Sequence, residues 1–341
     1  MNVPKSFSKN TFVAMIAIVL LWVIYQTQQV LLLAFAGVVL AIVFRGAAKA
    51  LASLMPWLTS SIRYPLSLAA VVLASALLLA GGAYFFVPRV ISDIRDLDKD
   101  VPAAIEQIKN FPPVAALLDN GEEGLSSEQL NTLASNLSST AQTVATGMFG
   151  AVSGLVIIGF TALFASAQPR VYRDAASSFF PESKRDDCNR VIASCVDSLW
   201  GWLKAQGLAM VIVGSLSVTG LFIIDVRYAL TLGILAGIFQ FVPYVGPIVS
   251  AIPALIVALT MSPETTFWVL LLYLGIQFAE GNFITPMVMK QETDLPPLAT
   301  LLSTILFGVL FGILGAIIAT PLAVVLKTLK QELYNKRILS S

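Results

Sequence analysis

The segment Gln277-Phe-Ala-Glu-Gly-Asn-Phe-Ile-Thr-Pro286 places Gln277, Glu280 and Asn282 near the end of an apolar run, 265–285, and breaks that run with Gly281 and Pro286. An ionisable group in a hydrophobic span costs roughly 2.5–3.5 kcal/mol to insert, so it normally faces a polar cavity or a partner and has a functional reason to be there. The chemistry these residues could do is translocation or coupling, with Glu280 as a carboxyl group able to exchange a proton. The alternative reading is structural: a helix whose last turn already lies among the headgroups, where a glutamate is cheap.

The elements that carry this segment follow from composition and charge. Of 341 residues, 57% are hydrophobic and 12% charged, with a mean hydropathy of +0.83. A soluble domain has roughly 25% charged residues, so the expected class is an all-α polytopic membrane protein. The first apolar segment, 11–25, passes through Gln26-Thr-Gln-Gln29 into a second, 30–44, without a small-residue cleavage site. It reads as a retained signal anchor, and the two short segments read as a hairpin. Spans follow at 65–87, 148–167, 207–224 and 266–285.

Charge sets the expected orientation. Lys5 and Lys9 precede the first segment, and Arg45, Lys49 and Arg63 follow the second with no acids beside them. Residues 88–147 carry four bases against nine acids, whereas 168–205 carry six bases against five, and the tail holds Lys327, Lys330, Lys336 and Arg337. By the excess of basic residues on the cytoplasmic side, both termini and 168–205 are expected inside and 88–147 outside. The expected divisions are N-terminal membrane segments 1–87, an extracytoplasmic helical hairpin 88–147, a span 148–167, a cytoplasmic amphipathic region 168–205, a C-terminal core 206–327 and a cytoplasmic tail 328–341. Two apolar series at helical spacing, Val90 to Ile108 and Leu130 to Met148, predict the extracytoplasmic hairpin. It reads equally as a gate, an oligomer contact or a passive stalk.

The C-terminal third is interrupted in an organised way. Apolar arms 228–241 and 245–259 flank Pro243-Tyr-Val-Gly-Pro247, and the stretch 298–326 contains Gly308, Gly312, Gly315 and Pro321. Both read as broken or re-entrant helical hairpins, giving about five full spans plus one more. Paired broken segments point to a transport site, because freed backbone groups at membrane depth need protein or a watery cavity to receive them. Gln240 and Tyr244 flank the first break and are further hydrogen-bonding candidates. Pro243, Gly246, Pro247, Pro253, Gly281, Pro286, Gly312, Gly315 and Pro321 are the candidate hinge and helix-break positions.

Val242-Pro-Tyr-Val-Gly-Pro-Ile248, Ala251-Ile-Pro253, the Gln277–Pro286 segment, and Leu310-Phe-Gly-Ile-Leu-Gly315 with Pro321-Leu-Ala323 resemble the autoinducer-2 exporter family of bacterial inner-membrane proteins. The resemblance extends over essentially the whole chain. It implies a multi-span permease that exports a small furanone-type signal, with other members linked to sodium or proton antiport. It also implies a homo-oligomer, with a pentamer as the suggested size. One departure stands out: Pro296 occupies the place where the family pattern has a histidine before proline, so no mechanism here can use that imidazole.

Other classes fare worse. The chain has no histidine, which removes His-dependent triads and the usual zinc sites, and no phosphate-binding loop for ATP. Ser153 has no base, and Glu280 lacks the second acid of an aspartyl site, so an intramembrane enzyme is not expected. Cofactors, metals and nucleic acid are likewise not expected; the expected partners are a small polar solute or cation, membrane lipid and further copies of the chain. A non-transporting membrane scaffold or regulator remains the alternative from another class. Cys188 and Cys195, seven residues apart on one helix, are too distant for a disulfide.

Overall fold

The computed structural model describes residues 5–59, 61–82, 154–284, 286–287 and 296–339, with isolated positions at 84, 88, 92 and 132. Among the described residues every regular element is a helix. Among these residues five helices are long and apolar enough to cross a membrane, or six if one bent pair counts as a span. The protein is thus an all-α polytopic membrane protein. The predicted extracytoplasmic hairpin and the link carrying Glu292 and Asp294 lie outside the described residues.

Helix α1, Lys5–Ser53, runs on without a break at Gln26–Gln29. This corrects the expected N-terminal hairpin: a 49-residue helix is about 73 Å long, and glutamine and threonine satisfy their side chains without disturbing the backbone ladder. Helix α2, Ser61–Gly82, and helix α3, Gly154–Ala167, pack on it through Phe44, Ala48, Leu68 and Ala162. At Gln168 the chain bends by 92° into α4, Pro169–Ser178, the first helix of the region 168–205. Pro169 begins it, where a missing N–H costs nothing.

Helix α5, Glu182–Ile223, joins the predicted amphipathic helix and the following span into one element of 42 residues. Gly207 does not separate them, since one glycine inside a helix costs only about 1 kcal/mol. Three of the four helices that follow pack along α5. Helix α6, Ala229–Phe239, returns antiparallel to it: Gly233 sits against Val218, and Gly214 against Gly237, where an added Cβ would come within 3.2 Å of the opposing Cα. Helix α7, Val245–Met261, leads back out, and Ser262 caps α8, Pro263–Ala279, through a 3.0 Å bond from the Thr265 amide. Helix α8 also runs antiparallel to α5, with Gly220 against Leu272 and Ala209 and Val213 against Ile276 and Ile284. The pair α6–α7 is therefore the first predicted hairpin, and its apex is Gln240–Tyr244.

Helix α9, Pro297–Leu339, contains the second break. Gly312 has φ 66° and ψ −153°, a conformation open essentially to glycine alone. The chain reverses there, which brings Gly315 against the backbone carbonyl of Phe307, eight residues earlier. A straight helix would hold those residues about 12 Å apart. The first apex is closed by the same device, with Gly246 against the carbonyl of Phe239. The returning arm of α9 lies antiparallel to α5: Val324 packs with Leu199 and Trp202, and Ser194 Oγ donates to Glu332 Oε1 at 2.8 Å. Gly312→Ala should cost about 1–3 kcal/mol from backbone strain alone. Its melting temperature in detergent should fall clearly below that of Gly308→Ala, whose added Cβ meets only ordinary contact with Ala316.

Candidate functional site

Glu280 lies where three elements meet. It ends α8 and begins a π-helical turn, Glu280–Ile284, a form that recurs at functional sites because the wider turn redirects side chains. Facing it is the apex of the first hairpin. Gln240 Nε2 donates a hydrogen bond to Glu280 Oε1, and Gln277 Nε2 donates to Glu280 Oε2 at 3.1 Å. Both carboxylate oxygens are thus held by neutral amides, one from its own helix and one from the hairpin.

The hairpin is held in turn by α5. Gln206, 2% exposed, donates through Nε2 to the backbone carbonyl of Gln240, itself 1% exposed. Trp202, one turn earlier, meets Phe241 edge to face at a centroid distance of 5.7 Å. Val324 and Val325 of the returning arm of α9 join the same cluster, so both broken hairpins converge beside Gln240. Gln240 Oε1 is buried and has no hydrogen-bond partner among the described residues. Such an atom is an acceptor held in reserve at the carboxylate.

The remaining candidates separate into those at this junction and those beside it. Tyr244, 42% exposed, has a positive φ of 65° and precedes the first turn of α7. Pro243 and Pro247 flank that turn, and Pro247 is buried within the first turn of α7, where its absent N–H is not required. Asn282 stands apart, exposed and donating to the Phe278 carbonyl of its own helix at 2.9 Å. Gly281 is in the π turn with open space around it, and Pro286 is exposed beyond it. Pro253 lies inside α7, while Gly312, Gly315 and Pro321 shape the second hairpin. Among the described residues no group of acids and cysteines is arranged to hold a metal ion.

Sequence reasoning missed Gln206 and the π-helical turn. Gln206 carries a signal: it shares the stripe Gln206, Val213, Ser217 and Leu221, at helical spacing with otherwise small or apolar residues. The π turn, Glu280–Ile284, carries none.

A family model described as AI-2E family transporter matches residues 12–335, which include both hairpins and the carboxylate between them. The chain belongs to the AI-2E family. Curated relatives of this AI-2E protein are distant. The sodium-lithium/proton antiporter of Halobacillus andaensis is 26% identical over 243 residues, 64% of this chain and 67% of the relative. The AI-2 transport protein TqsA of Escherichia coli (strain K12) is 26% identical over 137 residues, 40% of each chain. YrrI of Bacillus subtilis (strain 168) is 26% identical over 149 residues, 44% of this chain and 42% of the relative. The matched segment thus spans less than half the length of the latter two relatives.

Proposed function

We propose that this AI-2E protein is a secondary transporter that exports a small polar solute, such as the furanone-type signal named for its family, and couples export to an ion gradient through Glu280. The observation that carries the reading is the carboxylate itself, gripped by amides from two elements at the meeting point of two broken hairpins. A carboxylate whose ligands are neutral changes the charge of the site when it binds or releases a proton, and the hairpin holding it then has a reason to move. Gln277, Gln240 and Tyr244 line this coupling site, with Asn282 at its exposed margin; the glycines and prolines at the two breaks and beside Glu280 are its hinges. The phosphate-binding loop absent from the sequence leaves a gradient as the energy source.

Cation/proton antiport is the second reading, supported by the Halobacillus relative and by the affinity of a carboxylate for cations. In either case the protein works in a bacterial inner membrane as a homo-oligomer, a pentamer by resemblance, with both termini cytoplasmic and no enzymatic step. Purified protein in proteoliposomes, given an imposed proton or sodium gradient, should move a furanone-type solute or exchange cations for protons. Absence of solute and ion flux under every gradient would favour a membrane scaffold instead.

A further inference from the structure

Buried hydroxyls on these helices usually bond back to their own backbone. Ser67 Oγ donates to Arg63, Ser250 to Pro247, Thr304 to Thr300 and Thr328 to Val324, all to main-chain carbonyls at 2.8–3.0 Å. Three hydroxyls in the C-terminal core do otherwise, that of Thr320 on α9 and two on α5 and α8. Ser217 on α5 is 1% exposed and Tyr273 on α8 is 6% exposed, and neither Ser217 Oγ nor Tyr273 OH has a partner among the described residues. An unpaired buried hydroxyl is costly, so two in one helix interface call for a polar guest.

Their places are fixed by register. Tyr273 lies seven residues before Glu280, on the same face of α8 and about 10 Å along its axis toward Pro263. Ser217 lies eleven residues after Gln206 on the buried stripe of α5. Because Ile276 packs with Val213 and Gly220 faces Leu272, Ser217 falls at the level of Tyr273 between those two contacts. The order along the α5–α8 interface is thus Gln206 with Glu280, then Val213 with Ile276, then Ser217 with Tyr273, approaching the Pro263 end of the core. The other unpartnered buried atoms divide between this core, at Gln240 Oε1 and Thr320 Oγ1, and the N-terminal or peripheral positions Arg45, Tyr64 and Asn189.

We infer that Ser217 and Tyr273 form a second polar station, hydrated from the Pro263 end of the molecule, on a path that the buried Val213–Ile276 contact closes off from Glu280 in this conformation. A neutral hydroxyl offers one donor and can accept in return, which suits water or a small hydrated solute. The inference deepens the transporter reading, on which it rests for its purpose but not for its test.

Two measurements decide it. In a Cys188→Ser, Cys195→Ser background, Ser217→Cys should react with a small hydrophilic methanethiosulfonate added from the side bearing Pro263, at least about tenfold faster than Leu216→Cys on the exposed face. Failure of Ser217→Cys to react from that side, or equal rates for the two cysteines, overturns the path. Tyr273→Phe, which removes only the oxygen, should slow gradient-driven flux about fivefold or more with an unchanged melting temperature. Wild-type flux in that variant removes Tyr273 from the station. If the wild type carries no flux at all, the labelling result still decides the path, and the transporter reading alone falls.

Discussion

Glu280→Gln is expected to lower coupled flux at least about tenfold, equivalent to about 1.4 kcal/mol or more in the barrier, and to leave the flux insensitive to pH. Glutamine keeps the shape of the side chain but removes the ionisable group. The fold should survive because the neighbouring amides can adjust. With glutamine at 280, one carboxylate oxygen becomes an amide nitrogen that donates, and it would face Gln240 Nε2, another donor. Turning the Gln240 carboxamide over presents its Oε1, now without a partner, to that nitrogen and restores the bond. The melting temperature and oligomer size should therefore match the wild type. The measurement is solute or proton flux in proteoliposomes across a pH series, beside size-exclusion chromatography and a thermal melt. Flux and pH dependence equal to wild type would remove Glu280 from the coupling role.

Gly246→Ala is expected to have the largest effect on the fold itself. An added Cβ would run into the backbone carbonyl of Phe239, with the Gln240 amide close behind. A backbone obstacle cannot rotate aside as a side chain can, so the first hairpin must open at its apex. Overpacking of this kind costs about 1–3 kcal/mol or more. The opening also moves Gln240 away from Glu280, and flux should fall along with stability. Gly275→Ala on α8 is the matched control, because nothing lies within 4 Å of its added Cβ. A thermal melt of the two variants separates them; equal stability would mean that the apex is not closed as tightly as its backbone geometry requires.

The same two residues show how much was legible in advance. Glu280 stands out in sequence because a charge in an apolar run is expensive, and that cost acts whatever the neighbours are. The broken hairpins are legible for a related reason: Pro243 and Gly312 act on the local backbone through a missing N–H or a positive φ. Two expectations at longer range failed. Composition predicts a helix break at Gln26–Gln29 and a separation at Gly207, yet neither residue set interrupts the backbone ladder, and both helices run through. Polarity marks where a helix leaves the apolar layer; it does not mark where the helix ends.

The sequence by itself determined the membrane class, the helical character, the AI-2E resemblance and the positions of the two breaks, because hydropathy, charge and backbone stereochemistry are properties of short segments. Only the tertiary structure decided which groups hold Glu280. Gln206, Gln240 and Gln277 are separated by 34 and 37 positions and come together because α6 folds back along α5 and α8 follows antiparallel beside it. The unpartnered hydroxyls of Ser217 and Tyr273 were equally hidden, since whether a hydroxyl is satisfied depends on neighbours that only packing supplies.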